Sequence, residues 1–399
     1  MDKVFQYLKG DRVIWVITLL LMTFSLVTVY SFVPILVKVE GGTPFKYLFK
    51  HLIYVAIGLG VMYWVHRKDP RFVSLLSKFG FYLAVAILIF TLFFTEGVNQ
   101  ANRWVKVPFI GLTFQASDFA RLALIVYVSR LLVKKKDILA NWKEGFFPII
   151  IPIVVICGLI VKDNFSTAAI LFAVSLALLF LGRVPFSRIG TLIGGGVLAL
   201  TLLILVQKAA PELKLLPRLT TWENRLFNHV EDETNVIENA QVANAQLAIY
   251  EGGPLLGRGP GKGKLKGFIP EAYADFYFAS FVEEFGLISA VILILLYLIL
   301  LYRIMRIGLN SKDIFQTYVC IGIGMLIMSQ ATVNMMVCTG IFPVTGQNMP
   351  LLAMGGSAMM MTCVSLGVVQ SIARQQEKAL SKTKKTENNL EPKPILATE

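Results

Sequence analysis

Residues 268–302 read FIPEAYADFYFASFVEEFGLISAVILILLYLILLY, and they join the end of a polar loop to a long apolar run. The apolar part, residues 276–302, is long enough to cross a bilayer as a helix. Glu271 and Asp275 lie at its start, where carboxylates are costly to keep near hydrocarbon. The two are four residues apart, so a helical first turn would place both on one face. They could perform chemistry there, or they could simply face water at the helix N-terminus.

The segment before this stretch has the composition of an anion-binding site. Residues 252–267 read GGPLLGRGPGKGKLKG and contain seven glycines. The same segment carries four cations: Arg258, Lys262, Lys264 and Lys266. Flexible backbone N–H groups beside fixed positive charge can bind phosphate or diphosphate. We therefore predict that these cations bind an anionic substrate next to Glu271 and Asp275, although a solvated loop would look similar.

The overall composition is that of an integral membrane protein. Hydrophobic residues make up 56% of the chain and charged residues only 16%, with a mean hydropathy of +0.67, whereas soluble proteins are about 25% charged. Ten apolar runs predict transmembrane helices near residues 13–33, 47–65, 79–94, 117–133, 146–161, 167–182, 189–206, 276–302, 315–338 and 349–373. The predicted fold is all-α and polytopic, with one large extracytoplasmic loop, residues 207–275, between helices 7 and 8.

Positive charge predicts the orientation of the chain. Lys and Arg collect in the connections after the second, fourth, sixth and eighth spans and in the tail, which is typical of cytoplasmic segments. Both termini are therefore predicted to be cytoplasmic. The net charge of +13 is explained by these connections and by anionic headgroups, not by nucleic acid. Residues 1–374 are predicted to form the membrane domain, and residues 375–399 a disordered cytoplasmic tail.

A second polar cluster opens the predicted fourth span. Residues 102–121, NRWVKVPFIGLTFQASDFAR, carry Arg103 and Lys106 outside the span and Asp118 and Arg121 at the start of it. Asp118 and Arg121 are three residues apart and can pair with each other. They could contribute with Arg103 to substrate binding, or they could form an internal salt bridge that makes insertion affordable.

Two further features have a structural and a functional interpretation. Glu283 and Glu284 fall inside the eighth span, where only bundle-facing or ion-paired carboxylates are tolerable, and a structural ion pair is the preferred interpretation. Residues 339–357, TGIFPVTGQNMPLLAMGGS, are rich in Gly and Pro around the last span. They could line a cavity, or they could form a plain external turn. The four cysteines show no metal-binding spacing and are interpreted as core residues.

Four blocks of the chain, in order, resemble one known family. They are RWV with FQASDFAR (residues 103–105 and 114–121), FSTAAI (165–170), GPGKGKLKGFIPEAYADFYFASFVEEFGL (259–287) and TGIFPVTGQNMPLLAMGGSA (339–358). They are similar to the RW and FQPSEFAK, DLGTAL, PEAHTDFIFAVIGEELGL and TGLLPVTGLPLPFISYGGSS blocks of the SEDS family of shape, elongation, division and sporulation proteins. Its members include FtsW, RodA and SpoVE, and the resemblance is closest to the FtsW type.

This resemblance implies an activity. It implies an inverting peptidoglycan glycosyltransferase that polymerises lipid II, an undecaprenyl-diphosphate-linked disaccharide peptide, for septal wall synthesis at the outer face of the bacterial inner membrane. It places the catalytic carboxylate on Asp275, and it implies a class B penicillin-binding protein and other division proteins as partners. Asn164 stands where the family has Asp, so a carboxylate role is not carried over to it.

The chemistry of the residues agrees with that reaction. An acceptor hydroxyl must lose a proton as it attacks the anomeric carbon, whereas diphosphate leaves without protonation, so one carboxylate base is enough. Cations such as Arg103, Arg121, Arg258 or Lys264 would stabilise the departing charge. A divalent cation could share this task, but no dedicated metal motif is present. The alternatives are a lipid II flippase, a RodA-type elongation polymerase and a non-catalytic scaffold; a transporter would place its charged site near the bilayer midplane.

Overall fold

The fold is helical throughout the described part of the chain. A computed structural model describes residues 9–94, 104–106, 113–210, 233–269 and 272–390. These residues form eleven α-helices, which we number α1 Arg12–Glu40, α2 Pro44–His66, α3 Pro70–Phe94, α4 Ala116–Lys134, α5 Phe147–Val161, α6 Phe165–Leu181, α7 Phe186–Ala209, α8 Glu233–Glu251, α9 Tyr277–Leu309, α10 Ile314–Cys338 and α11 Gly356–Leu390. Two short strands, β1 Trp104–Lys106 and β2 Thr113–Gln115, pair antiparallel with Trp104 opposite Gln115. Short non-α turns are Lys136–Ile138, Trp142–Phe146 and Leu265–Phe268.

Most of these helices have the length and composition of membrane spans. Within the described ranges, eight qualify: α1, α2, α3, α5 with the turn before it, α7, α9, α10 and α11. The fourth and sixth predicted spans correspond to α4, which carries buried charges, and to α6, which has 17 residues. The multi-pass helical fold is confirmed, whereas the count of ten spans and the cytoplasmic termini stay predictions.

The helices pack around two apolar cores. The larger core is built mainly from α1, α2, α9, α10 and α11, and the smaller from α3 to α6. Helix α7 lies at the edge of the bundle, since Ile189 and Leu192 are its buried residues. The outward faces of α3, α7 and α9 are rich in exposed Leu, Ile, Val and Phe, as expected for helices surrounded by lipid.

Several helix boundaries differ from the predicted ones, and α11 differs at both ends. Helix α11 begins at Gly356, because residues 349–355 form a turn in which Leu351 has a φ of 64°. It then continues to Leu390, so that part of the predicted disordered tail is helical, and residues 391–399 lie outside the described residues. In the large loop, α8 corresponds to the helix predicted at 235–250, and the amphipathic helix predicted at 217–230 falls outside the described ranges.

Candidate functional site

Asp275 lies in a turn immediately before α9. The helix begins at Tyr277, so Asp275 precedes its first turn instead of belonging to it, and its side chain is half-buried. A Cβ atom built on Gly346 would lie 3.6 Å from Asp275 Oδ2 and 3.7 Å from Asn164 Nδ2. The carboxylate therefore faces the Gly/Pro-rich turn before α11 and the start of α6. Glu271, its predicted companion, lies outside the described residues.

A buried amide supports the backbone at Asp275. Asn334, near the C-terminal end of α10, is fully buried. Its Nδ2 donates to the carbonyls of Asp275 at 2.9 Å, Gln347 at 2.8 Å and Ala274 at 3.4 Å. Its Oδ1 accepts from the N–H of Phe278 at 3.4 Å. One side chain thus joins the turn that contains Asp275, the first turn of α9 and the segment before α11.

The predicted pairing of Asp118 with Arg121 is confirmed. The two buried side chains form an ion pair, and Ser357 at the start of α11 donates to Asp118 Oδ2 at 2.8 Å. Arg121 also donates to Gln347 Oε1 at 3.1 Å, and Gln347 Nε2 donates to Thr167 Oγ1 at 2.6 Å. The pair is therefore part of a network that connects α4, α6 and α11 to the same turn that Asp275 faces.

The network contains residues that the sequence patterns did not single out. Asn334, Gln347 and Thr167 are polar side chains within or between apolar spans. A buried amide in a membrane helix needs hydrogen-bonding partners, which is the signal that could have found Asn334. The identity of its partners could not be read from the chain, because they lie 13 to 60 residues away.

The backbone N–H groups of the glycine-rich loop donate hydrogen bonds to α9. The amides of Arg258 and Gly259 donate to the carbonyls of Glu283 and Glu284, each at 2.9 Å. The amides of Lys264 and Leu265 donate to Glu283 Oε1 at 2.6 Å and 3.0 Å. These four donors were expected to face a diphosphate. In the structure they hold the loop against the helix.

A break in α9 makes room for this loop. Gly286 has a φ of 79° and a ψ of 174° inside the helix. A Cβ there would lie 2.4 Å from the carbonyl oxygen of Leu255 and 2.6 Å from the amide nitrogen of Gly257. Leu287 then donates its N–H to the carbonyl of Gly253 at 3.1 Å. Loop and helix therefore form one structural unit at this break.

The four loop cations have different surroundings. Lys262 and Lys264 are exposed. Arg258 forms a partly exposed ion pair with Glu251. Lys266 is only 5% exposed, and its Nζ lies 2.5 Å from Glu284 Oε1. The expectation that Glu284 is ion-paired is thus confirmed, while the enclosure of Lys266 differs from the expectation that it binds substrate directly.

The structure does not describe the side chains of the two cations that precede the fourth span in the sequence. Arg103 is outside the described residues, and Lys106 belongs to β1 with its side chain not described. In the part of the chain that the structure covers, no three His, Cys, Asp or Glu side chains gather in a way that could hold a metal ion.

Comparisons with known proteins agree with this architecture. The model of the FtsW, RodA and SpoVE family, described as "Cell cycle protein", matches residues 11–378. A probable peptidoglycan glycosyltransferase FtsW of Coxiella burnetii is 30% identical over 92% of this chain and 97% of its own length. One of the same description from Trichlorobacter lovleyi is 29% identical over 93% and 95%.

Solved structures show the same fold. A chain from a study of the structural coordination of polymerization and crosslinking by a peptidoglycan synthase complex has a TM-score of 0.70 at 21% identity, over 92% of this chain and 98% of that one. The rod shape determining protein RodA of Thermus thermophilus has a TM-score of 0.65 at 19% identity, over 92% and 97%. With a family model that matches nearly the whole chain and solved structures that share its fold, this chain belongs to the FtsW, RodA and SpoVE family of cell cycle proteins.

Proposed function

We propose that this chain is a peptidoglycan glycosyltransferase that polymerises lipid II, with Asp275 as its general base. The observation that carries the proposal is the placement of Asp275. Its half-buried carboxylate lies in a turn at the end of the bundle, with Gly346 and Asn164 nearby. The related proteins from Coxiella burnetii and Trichlorobacter lovleyi are named as probable peptidoglycan glycosyltransferases, which supports the proposal.

The reaction needs one base and one stabilised leaving group. The acceptor sugar hydroxyl attacks the anomeric carbon of the donor from the face opposite the lipid diphosphate, forming the new glycosidic bond as the bond to diphosphate breaks. Asp275 accepts the hydroxyl proton during the attack, and the configuration at the anomeric carbon inverts. General-base assistance of this kind contributes roughly 100- to 10,000-fold to the rate.

Cations of the glycine-rich loop and of the fourth-span region would stabilise the departing diphosphate. Lys262 and Lys264 are exposed on the glycine-rich loop and can reach a ligand without breaking a buried ion pair. Arg258 is partly exposed in its pair with Glu251. Arg103, which precedes α4 in the sequence, is a further candidate. Arg121 with Asp118 would act through its hydrogen bond to Gln347, in the turn before α11. A divalent cation that arrives with the diphosphate could share this charge.

The enzyme would act at the outer face of the bacterial inner membrane in septal wall synthesis, with both termini in the cytoplasm. The FtsW names of the curated relatives support the septal role over an elongation role.

Residues 207–275 contain no serine, so this loop lacks the Ser-x-x-Lys nucleophile of a transpeptidase. A class B penicillin-binding protein is therefore the expected partner, and we expect it to copurify from membranes with this chain. Recovery of a fully active chain with no such protein would contradict the proposed complex.

The proposed base is tested by Asp275→Asn. This variant keeps the size and hydrogen bonding of the side chain but removes the proton acceptor, so polymerisation of fluorescent lipid II in detergent should fall at least about 100-fold. Asp137→Asn is the matched control, because Asp137 is an exposed aspartate in the connection after α4, and it should retain activity.

The same assay separates the polymerase from a flippase. Polymerisation in detergent needs no second compartment, whereas transport does. A wild-type protein that forms no glycan strands in detergent but moves lipid II across vesicles would favour transport. Near-normal strand synthesis by Asp275→Asn would refute Asp275 as the base while leaving the activity itself intact.

A further inference from the structure

A buried ion pair connects three separate parts of the chain beside the catalytic turn. Lys266 Nζ donates to Glu284 Oε1 on α9 at 2.5 Å and to the carbonyl of Ser31 on α1 at 2.9 Å. It also donates to Ser31 Oγ, which in turn donates to the same Glu284 oxygen. The ring centroid of Phe32 lies 5.6 Å from the ammonium. Lys266 and Glu284 are 5% and 3% exposed, so both charges depend on each other and on Ser31.

The neighbouring carboxylate, that of Glu283, holds the backbone of the loop. Glu283 is fully buried, and its Oε1 accepts the amides of Lys264 and Leu265. Gly263 packs against its Oε2, since a Cβ on that glycine would approach this oxygen to 2.8 Å. Two adjacent carboxylates of α9 therefore fix the loop, one through its backbone and the other through the Lys266 ammonium.

The same stretch of α1 also contacts both sides of Asp275. Phe32 packs edge-on against Tyr273 and tilted against Tyr277, with ring centroids 6.5 Å and 6.3 Å apart. Thr28 hydrogen-bonds to the hydroxyl of Tyr277. Lys266 and the residues on either side of Asp275 thus contact the same stretch of α1.

We propose that Lys266 and Glu284 are positioning residues that act through Asp275. Their buried ion pair joins the glycine-rich loop to α9 and α1, and this junction fixes the backbone that presents the base to the acceptor sugar. The inference rests on the proposed glycosyltransferase activity and gives Lys266 a role that does not involve contact with diphosphate. Displacement of a catalytic group by about 1 Å can cost about 100-fold in rate.

Removal of one partner tests this role. Lys266→Met keeps most of the apolar length of the side chain but leaves Glu284 buried without its cation, which is the costly way to break such a pair. We expect kcat for lipid II polymerisation to fall at least about tenfold while KM changes less than about threefold. In the double variant Lys266→Met with Glu284→Gln, neither member of this pair is charged, and the variant should recover much of the lost kcat.

A second ion pair, which connects the same two helices at their opposite end, provides a matched control. Arg303 on α9 forms an ion pair with Asp11 at the start of α1. Arg303→Gln removes a similar α1 to α9 connection far from Asp275 along both helices, so kcat should stay within about twofold of the wild type. A general loosening of the bundle would instead affect both variants alike.

Amide hydrogen exchange provides a measurement that does not depend on activity. In Lys266→Met, residues 272–276 should exchange faster than in the wild type and regain protection in the double variant, while Arg303→Gln leaves them unchanged. If Lys266→Met does not fold, Glu284→Gln alone gives the same comparison with a smaller change.

The outcomes separate this inference from the proposed function. A raised KM with unchanged kcat and unchanged exchange would show that Lys266 contacts substrate and would overturn the positioning role. Failure of the wild-type protein to polymerise lipid II would refute the proposed function, and the exchange comparison would still decide whether this ion pair orders the turn.

Discussion

Asn334 offers the sharpest test of how the fold supports its site. Its Nδ2 makes two good hydrogen bonds, to the carbonyls of Asp275 and Gln347, and a longer one to Ala274. Asn334→Ala leaves these acceptors without their donor. An unsatisfied buried polar group costs about 1 to 3 kcal/mol, so the loss of the two strong bonds should lower the stability by about 2 to 6 kcal/mol.

The loss should appear in activity as well as in stability. Asn334 holds the backbone carbonyl of Asp275, the proposed general base, from α10. A shift of about 1 Å in a catalytic group costs about 100-fold in rate. We therefore expect kcat for lipid II polymerisation to fall about 10- to 100-fold in Asn334→Ala, measured well below its lowered melting temperature. Ser329→Ala is the control on the same helix, because the Ser329 hydroxyl donates only to the Leu326 carbonyl of α10, at 2.9 Å.

One result would refute this reasoning. If Asn334→Ala is folded, and its kcat lies within about twofold of the wild type, then the amide does not position the turn that contains Asp275. A large fall in melting temperature with unchanged kcat would assign Asn334 to stability alone.

Two further predictions concern the glycine-rich loop. Gly286→Ala should destabilise the protein by more than about 2 kcal/mol, because Gly286 has a positive φ and a Cβ there would lie 2.4 Å from the Leu255 carbonyl oxygen. Gly158→Ala is the control, because a Cβ at Gly158 would have no neighbouring atom within 4 Å. This variant should keep its melting temperature within a few degrees of the wild type. Replacing Lys262 and Lys264 together with Gln should raise KM for lipid II by about tenfold with little change in melting temperature, because both side chains are exposed; unchanged kinetics would indicate a merely solvated loop.

Much of the architecture could be predicted from the sequence alone. Apolar runs of membrane-spanning length report directly on which segments avoid water, and all ten predicted runs correspond to helices in the structure. The spacing of three between Asp118 and Arg121 was enough to predict their pairing, because such residues are neighbours on one helix. The end of α8 before Gly252 follows from the helix-breaking tendency of the two glycines there.

Contacts between distant segments were decided only by the tertiary structure. Lys266 meets Ser31 across 235 residues, and Asn334 reaches the Asp275 carbonyl across 59. Composition marked the loop cations as equivalent, but packing buried Lys266 and left Lys262 and Lys264 exposed. Hydrophobic pattern tells which face of a helix avoids water, and it carries no information on which polar group from another helix will satisfy a buried charge or amide. Which groups meet depends on how the helices cross. In this protein the crossing of the helices decides both where the loop enters the break in α9 and which side chain supports the backbone at Asp275.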